Sequence, residues 1–358
     1  MNLRWLFVFC LGVAPLAAAA APLILAKPVP QGAMPVRVHV FEDYETEIEK
    51  RWWLRGAAVI TNLPPSLSGS LSNTRACRAT PTKDFDDKMG DPAARYNAVI
   101  FNPVPGPPMG PRTRLSFRYW LKGAETMRVQ IYSLSKNYHR QLVLAALPQG
   151  QWQSATVDMT QARRPDGSGG PLAEDERIDD IQFYVAPDAE LFIDDIVLYE
   201  AAAEKEEEFF PRRVIWTGWF DTGKQGVEWP GHFDIVLHQK PRTWDAAQSV
   251  PHAEGGLPWI RLHLRGARAL SAQSALFFRY HLSAEAKITI KLVNTKTGRE
   301  HAVRIPNAVA GEWDDVTISF PVPLLPARQP ERVDEIHLLL DRKAELRIDD
   351  VLLFEPGK

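Results

Sequence analysis

The sequence predicts an all-β protein made of two tandem antiparallel β-sandwich domains. Apolar and polar residues alternate with a period of two in several short segments, which is typical of strands buried on one face. The 29 prolines of the 358-residue chain are scattered between these segments, where they suit loops and would interrupt helices. Three blocks of sequence also occur twice in the same order, which indicates a tandem duplication.

The duplication is visible in the strand segments themselves. The segment "LSFRYWL" (115–121) matches "LFFRYHL" (276–282) at five of seven positions, and "GQWQSATV" from Gly150 corresponds to "GEWDDVTI" from Gly311. Residues 177–200 match residues 332–355 at 11 of 24 positions. We therefore predict a first sandwich over 22–200, a linker over 201–211 and a second sandwich over 212–358.

The chain begins with a segment typical of a signal peptide, predicted over 1–21. Arg4 precedes an apolar run that ends in small residues and is too short for a comfortable membrane span. We expect export to the periplasm, the cell surface or the extracellular space, with no transmembrane span after cleavage. Loss of Cys10 would leave Cys77 as the only thiol, which excludes an internal disulfide and a cysteine-based metal site.

The net charge of the chain argues against nucleic acid as a partner. The formal net charge of −2 offers no basic face for nucleic acid. The sequence does not determine the oligomeric state.

Strand alternation predicts which side chains face the core of each sandwich. The predicted core positions are Leu115, Phe117, Tyr119, Leu121, Met127, Val129, Ile131, Ile181, Phe183 and Val185 in the first domain, and Ile336, Leu338 and Leu340 in the second. The intervening side chains are then expected on the opposite side of each sheet.

Each domain ends in a strand with two adjacent aspartates, "ELFIDDIVLYE" and "ELRIDDVLLFE". Alternation places Asp195 and Asp350 on the apolar side of these strands. A buried carboxylate needs a cation, backbone donors or an arginine, because burial strongly disfavours an unpaired charge. Two explanations stay open: a metal ion, or loop capping and ion pairs with Arg177 and Arg332.

The terminal "IDDV" strand, an early acidic strand and a middle "F-x-Y-x-L…G-x-W" pattern resemble the jelly-roll carbohydrate-binding modules of the galactose-binding-domain-like fold. The resemblance spans both halves of the chain and implies a jelly roll in each. It also implies a structural Ca²⁺ held between a first-strand carboxylate and a last-strand aspartate, a ligand set that suits this hard cation. The matching positions are Glu42, Asp43, Asp194 and Asp195 in the first domain and Asp221, Asp349 and Asp350 in the second, where the single early carboxylate predicts a weaker or empty site.

Aromatic and planar polar side chains alternate with the predicted core residues of the first domain, a combination that suits the apolar faces and hydroxyls of sugars. The candidate ligand-binding residues are Arg118, Trp120, Arg128, Gln130, Tyr132, Gln182 and Tyr184. Packing of Trp120 within the sandwich is the alternative. The corresponding positions of the second domain, which are Arg279, His281, Thr289, Lys291, Val293, His337 and Leu339, have lost the aromatic set.

No catalytic motif stands out from the sequence. The leading hypothesis is an exported, non-catalytic glycan-binding protein with a structural Ca²⁺ in the first domain. The alternatives are a polysaccharide-degrading enzyme, either a glycoside hydrolase or a lyase, and a structural or adhesive envelope protein. His139 in "KNYHRQ" would be the candidate base of a lyase, although a histidine exposed in a turn is the simpler interpretation.

Overall fold

We describe the protein from a computed structural model. The described residues are 25–26, 35–46, 53–54, 58–62, 75–84, 93–103, 106, 108–173, 176–201, 211–221, 225–237, 245–306, 308–320 and 331–356. The predicted signal peptide and most of the predicted linker lie outside these ranges. Within them, no helix has the length and apolar character needed to cross a membrane.

The first half of the chain folds into thirteen described strands. They are β1 (Leu25–Ala26), β2 (Pro35–Glu42), β3 (Trp53–Leu54), β4 (Ala58–Asn62), β5 (Arg75–Lys83), β6 (Arg95–Asn102), β7 (Pro108–Met109), β8 (Thr113–Lys122), β9 (Met127–Ser133), β10 (Tyr138–Leu144), β11 (Trp152–Asp158), β12 (Glu176–Val185) and β13 (Glu190–Ala201). The helical structure described in this half is one 3-10 turn, Met159–Gln161, whose first turn is capped by the Asp158 carboxylate.

The second half has twelve described strands. They are β14 (Arg213–Gly218), β15 (Gly231–His232), β16 (Asp234–Leu237), β17 (Asp245–Gln248), β18 (Val250–Pro251), β19 (Pro258–Leu270), β20 (Ala275–Leu282), β21 (Ile288–Asn294), β22 (Arg299–Ile305), β23 (Trp313–Ser319), β24 (Glu331–Leu340) and β25 (Leu346–Glu355). The predicted change of domain falls between β13 and β14.

The first module is a sandwich of two sheets that share one strand. The front sheet has the order β1-β10-β9-β12-β6, and the back sheet continues β5-β13-β8-β11. The first half of β5 pairs with β4 and β13, whereas Thr80–Lys83 pair with β6. Pairings between the described strands are antiparallel, apart from that of β1 with β10.

The second module repeats this arrangement with two separate sheets. Its front sheet has the order β15-β19-β24-β21-β22, and its back sheet has the order β16-β17-β25-β20-β23 with β14 beside β25. The first strand of each back sheet lies next to the last, because β2 pairs with β13 and β14 pairs with β25. The prediction of an all-β protein with two tandem antiparallel sandwiches is therefore confirmed.

The core of each module lies between its front and back sheets. In the first module, the rings of Phe117 on β8 and Phe183 on β12 lie 4.8 Å apart. All thirteen predicted core side chains are buried in this layer. The period-two pattern was sufficient here because one face of each strand meets the opposite sheet.

The modules touch through the first strands of their back sheets. β2 contacts both β14 and β25. Just beyond the end of β2, the Asp43 carboxylate forms a buried ion pair with Arg268 of β19. A buried pair of opposite charges thus lies in the contact between the two halves.

Candidate functional site

Five of the seven predicted ligand-binding residues meet on the outer side of the first module's front sheet. They project from the neighbouring strands β9 and β12, where Gln130 pairs with Gln182 and Arg128 pairs with Tyr184. Adjoining strands β6 and β10 add one aromatic and one amide side chain to the same side. We call this surface the first front face; it consists of Tyr96, Arg128, Gln130, Tyr132, Gln141, Gln182 and Tyr184.

A hydrogen-bonded chain holds the centre of the first front face. Asn102 and Gln182 each donate a side-chain amide hydrogen to the Asp180 carboxylate, at 3.0 and 2.9 Å. The Gln182 Oε1 atom accepts from Gln130 Nε2 at 2.9 Å and from the Tyr184 hydroxyl at 2.8 Å. These bonds fix the planar side chains in defined orientations.

The same chain contains a carboxyl group with a shifted pKa. Burial raises the pKa of Asp180, and the negative charge of Asp179 adds to this effect. Asp180 can therefore exchange a proton at a higher pH than an exposed aspartate.

Several buried polar atoms of the first front face lack a hydrogen-bond partner among the described residues. They are Gln130 Oε1, Gln141 Oε1, and the Nε and Nη2 atoms of Arg128. An unsatisfied buried donor or acceptor costs about 1–3 kcal/mol. These atoms are acceptors and donors that the described residues leave unsatisfied.

Aromatic rings lie at both ends of the first front face. The Arg128 guanidinium lies 4.2 Å from the ring centroid of Tyr184 and 4.8 Å from that of Tyr96, and Arg128 also pairs with Asp84 at 2.9 Å. At the other end, Tyr132 and His139 have ring centroids 5.0 Å apart.

Access to the first front face is uneven. Gln130, Gln182 and Tyr184 are almost fully buried at its centre. Tyr96, Arg128 and Tyr132 are half-buried. A ligand would therefore first meet these three side chains.

His139 lies within β10 and is only 9% exposed, so the expectation of a histidine exposed in a turn is wrong. Strand β10 begins at Tyr138, within "KNYHRQ", because the tight turn ends at Asn137, which lies in the left-handed region at φ 57°.

Arg118 and Trp120 belong to a different surface. They lie on β8 in the back sheet, whereas the other five candidates lie in the front sheet. Trp120 packs edge to face on Phe192, with ring centroids 5.9 Å apart, and is only 9% exposed. The packed alternative for Trp120 is therefore what the structure shows, and the grouping of all seven residues on one face is wrong.

The paired aspartates lie at a β-bulge in each last strand. The register of β13 with β8 shifts between Asp194 and Val197, and the second aspartate, Asp195, has a φ of 47°. The backbone NH of Asp195 donates to the Asp194 carboxylate at 2.8 Å. The second module repeats this geometry at Asp349 and Asp350, with a φ of 49° and a 2.7 Å bond.

The bulge reverses the predicted orientation of the first module's pair. Asp194 is fully buried, whereas the Asp195 side chain is 18% exposed and lies 3.6 Å from Arg118. The prediction from strict period-two alternation was wrong here because a bulge inserts one residue into the strand.

The predicted arginine partners of the paired aspartates are also wrong. Asp350 lies 3.6 Å from Arg279, which occupies the position of Arg118 in the repeat. Arg177 and Arg332 instead donate to backbone carbonyl groups, those of Gly106 and Ala267.

Asp194 has the features of a cation ligand. Its Oδ2 atom is buried without a hydrogen-bond partner among the described residues. Burial raises the pKa of Asp194 well above its usual range, and nearby Asp195 and Asp43 add to the shift. Glu42 is also fully buried, with Oε1 accepting from the Tyr44 NH at 2.7 Å.

Other candidate metal ligands have other partners. Asp43 is paired with Arg268. In the second module, Asp221 accepts from the Asp245 NH at 2.8 Å, and burial raises the pKa of Asp221 to about 8. Within the described ranges, no three His, Cys, Asp or Glu side chains are placed to hold a metal ion. Asp194 and Glu42 are the two candidate carboxylates of the first module without exposed surface.

The front sheet of the second module carries an aromatic cluster that the sequence analysis missed. Trp259 of β19 donates through Nε1 to His232 Nδ1 at 3.0 Å, and its ring lies 4.3 Å from that of His252 and 5.3 Å from that of His337. Trp259 belongs to none of the repeated blocks, so only the strand order brings it beside the predicted position His337.

No family model and no curated protein matches the chain. Solved structures do resemble it. The tandem CBM22-1–CBM22-2 domain of Xyn10C from Paenibacillus barcinonensis is 10% identical with a TM-score of 0.29, over 92% of this chain and 100% of that one. The family 11 carbohydrate-binding module from Clostridium thermocellum, in complex with a β-1,3-1,4-mixed-linked tetrasaccharide, is 18% identical with a TM-score of 0.31, over 48% and 98%.

A third such structure is TmCBM61 in complex with β-1,4-galactotriose, which is 18% identical with a TM-score of 0.26, over 37% of this chain and 90% of that one. The resemblance to carbohydrate-binding modules that the sequence indicates is thus found among solved structures too. At these identities and TM-scores, a ligand has to be inferred from the geometry of the sites described above.

Proposed function

We propose that the protein is an exported, non-catalytic glycan-binding protein whose first front face holds the sugar. The observation that carries this proposal is the set of buried, unpaired polar atoms on Arg128, Gln130 and Gln141. Sugar hydroxyls both donate and accept hydrogen bonds, so a glycan would satisfy the amide oxygens and the guanidinium together.

The aromatic side chains of the first front face are the second feature that supports glycan binding. Tyrosine rings bind the apolar CH side of a pyranose, while neighbouring planar polar groups bind its hydroxyls. Tyr96 and Tyr184 meet edge to face at 5.4 Å beside Arg128, and Tyr132 lies at the opposite end. The partly exposed Tyr96, Arg128 and Tyr132 would make the first contacts with the glycan.

Calorimetric titration with a panel of neutral oligosaccharides tests this proposal. The substitution Gln130→Leu removes an unpaired buried oxygen at similar volume, together with the bond that Gln130 donates to Gln182, and we expect it to weaken glycan binding at least tenfold while the protein stays folded. The matched control is Lys291→Leu at the corresponding position of the second module, which should leave the affinity unchanged. Binding that survives Gln130→Leu unchanged, or a panel without any binder, would refute the assignment.

We further propose a structural Ca²⁺ in the first module, with Asp194 and Glu42 as its side-chain ligands. Support comes from the unpaired, fully buried Asp194 oxygen and the surrounding negative charge. Carboxylates and carbonyl oxygens are the ligands that this cation prefers. Asp43 is left out of the proposed set because Arg268 neutralises it.

Thermal unfolding in Ca²⁺ and in EGTA tests the metal proposal. A ligand at a hundred times its Kd stabilises a two-state domain by about 2.7 kcal/mol, which raises Tm by several degrees. We expect Asp194→Asn to abolish this rise and Asp349→Asn, its counterpart in the second module, to leave it. No rise at millimolar Ca²⁺ would mean that Asp194 is kept as a neutral buried acid.

A further inference from the structure

Asp180 is a buried carboxylate at the inner end of the hydrogen-bonded chain of the first front face. It lies on β12, and 6% of its surface is exposed. Asn102 Nδ2 donates to its Oδ1 atom at 3.0 Å, and Gln182 Nε2 donates to its Oδ2 atom at 2.9 Å. Both carboxylate oxygens therefore accept from an amide, which is the arrangement of an ionised aspartate.

The direction of the hydrogen bonds along the chain follows from this ionised end. Because Gln182 turns its Nε2 atom towards Asp180, its Oε1 atom points the other way and accepts from Gln130 Nε2 at 2.9 Å. Gln130 Oε1 then lies at the far end, buried and without a hydrogen-bond partner among the described residues. We call Asp180, Gln182 and Gln130 the amide relay, and its ionised form ends in an acceptor.

Protonation of Asp180 would reverse the amide relay. Asn102 is held in its orientation because it also donates to Asp179, so the proton belongs on the Asp180 oxygen that faces Gln182. That oxygen becomes a donor, and Gln182 can accept from it only after its amide group rotates to bring Oε1 round. Gln130 then has to rotate as well, and its Nε2 donor replaces the Oε1 acceptor at the far end.

The other partner of the central glutamine permits this reversal. The Tyr184 hydroxyl donates to Gln182 Oε1 at 2.8 Å, and a hydroxyl can accept instead after rotation about its C–O bond. Donor and acceptor roles can therefore be exchanged along the amide relay without movement of the strands.

The surroundings of Asp180 favour its protonated form. Burial is the largest influence and raises the pKa of Asp180 above the 3.8 of an ordinary aspartate, and the adjacent charge of Asp179 raises it further. Hydrogen bonds from Gln182 and Asn102, and the charge that His139 can carry, lower this pKa but by less. The ionised form of Asp180 is therefore lost at a higher pH than that of an exposed aspartate.

The second module keeps the first step of the amide relay and lacks the rest. Glu335 Oε2 and His337 Nε2, at the positions of Asp180 and Gln182, lie 2.7 Å apart. Lys291 replaces the second glutamine and forms an ion pair with the neighbouring strand β22. A carboxylate bonded to the residue two positions later is thus common to both copies, whereas the extension to a second amide belongs to the first.

We propose that Asp180 is a positioning residue that gives the first front face a pH-dependent ligand preference. With Asp180 ionised, Gln130 accepts a hydrogen bond from a hydroxyl of a neutral glycan; with Asp180 protonated, Gln130 offers a donor at the same place. This inference rests on the proposed glycan binding, because it concerns the same surface. The glycan should bind more tightly to the ionised form, and its affinity should fall as pH falls through the pKa of Asp180.

NMR spectroscopy of the ligand-free, full-length mature protein tests the amide relay without any glycan. With isotopically labelled glutamine, the side-chain amide signals of Gln182 and Gln130 should change together between about pH 8 and about pH 4, with a common midpoint. Gln130→Leu assigns its signal by removing it, and Asp180→Asn should abolish the transition. Signals that do not change, or that change with different midpoints, would overturn the proposal.

Calorimetric titration over the same pH range, with the same panel of neutral oligosaccharides, tests the consequence for binding. The affinity of the wild type should fall by about tenfold or more across the transition seen by NMR. Asp180→Asn should bind weakly at every pH, because its amide donates to Gln182 as the protonated acid does. A wild-type affinity that does not depend on pH, or an unchanged pH profile in Asp180→Asn, would refute the role of Asp180.

The matched control is Asp179→Asn, which removes the adjacent charge and keeps the carboxyl group of Asp180. Its amide oxygen can still accept from Asn102. Because the charge of Asp179 raises the pKa of Asp180, the transition should move to lower pH, while the affinity at neutral pH should stay unchanged. An unmoved midpoint would assign the transition to another group, such as His139, and overturn the proposal.

The failure of this inference is distinguishable from the failure of the proposed function. Tight glycan binding without a pH-dependent change in the amide signals would refute the role of Asp180 and leave glycan binding intact. A panel without any binder would refute glycan binding, and the ligand preference with it, whatever the NMR signals show.

Discussion

The second aspartate of each pair adopts a backbone conformation that few side chains tolerate. Asp195 and Asp350 have φ values of 47° and 49°, in the left-handed region that glycine, asparagine and aspartate visit most readily. The preceding aspartate accepts a hydrogen bond from the backbone NH of this residue. The "IDD" motif is thus explained first as the sequence of a β-bulge.

Replacement of Asp195 separates its backbone role from its charge. Asp195→Gly and Asp195→Ala both lose the Arg118 contact, but only glycine fits the left-handed conformation without strain. We expect Asp195→Gly to be more stable than Asp195→Ala by about 1 kcal/mol, as measured by urea unfolding. The same pair of changes at Asp350 is the control, and equal stabilities of glycine and alanine variants would contradict the bulge explanation.

His39 gives the first module a defined response to acid. It is buried in β2, and burial, with a contribution from Arg37, lowers its pKa from 6.5 to about 3. Between these values the unfolded chain binds a proton that the folded protein does not, so the free energy of unfolding should decrease as pH falls from 6.5 towards 3.

Urea unfolding of the wild type and His39→Leu between pH 3 and 8 measures this contribution. The stability difference between the two proteins should be constant above about pH 7.5 and should shift in favour of the variant as the solution becomes more acidic. A difference that does not depend on pH would show that His39 titrates normally in the folded state.

Residue patterns predicted the core of the sandwiches but only part of the candidate site. Phe117, Val129 and Phe183 were placed correctly because their period matches the pleat of a strand. The predicted orientations of Asp194 and Asp195 were reversed, because a β-bulge gives no signal in the hydrophobic pattern of a sequence. Trp120 was grouped with Tyr132 and Tyr184 because a sequence gives the side of a strand but not the sheet to which the strand belongs.

Strand β10 is tied to more than its neighbour in the sheet. Arg140, almost fully buried on β10, forms two bonds of 2.8 and 3.0 Å with the Glu176 carboxylate on β12, although β9 lies between these strands. Arg140 also donates to the Gly170 carbonyl at 2.7 Å. One side chain therefore connects two strands and the loop that joins β11 to β12.

Replacement of Arg140 should lower the free energy of unfolding, because it removes the guanidinium that pairs with the buried Glu176 carboxylate. We expect Arg140→Met to lower the free energy of unfolding by about 3–5 kcal/mol, as judged by urea denaturation. The double variant with Glu176→Leu should recover part of the loss, since both charges are then absent. A double variant less stable than Arg140→Met would mean that the carboxylate has further essential partners.

The two modules form one structure through contacts of β2 with β14 and β25 and through the buried Asp43–Arg268 pair. Modules joined only by a flexible linker would have no fixed contact of this kind.

Removal of the inter-module ion pair should uncouple the unfolding of the modules. Arg268→Met keeps most of the side-chain volume but removes the guanidinium that neutralises the buried Asp43 carboxylate. We expect scanning calorimetry to show one transition for the wild type and two for Arg268→Met. The double variant that also carries Asp43→Asn should partly regain the single transition, because it lacks the buried negative charge. A single unchanged transition in Arg268→Met would assign the coupling to the strand contacts alone.

The strand β5, which belongs to both sheets of the first module, carries a natural chemical reporter. Cys77 lies on β5, with no exposed surface, where β5 pairs with β4 and β13. A thiol reagent can reach its sulfur only when this junction opens, so the labelling rate of Cys77 measures how often the sandwich comes apart under native conditions. The protein can thus be followed through its rare open states without an introduced label.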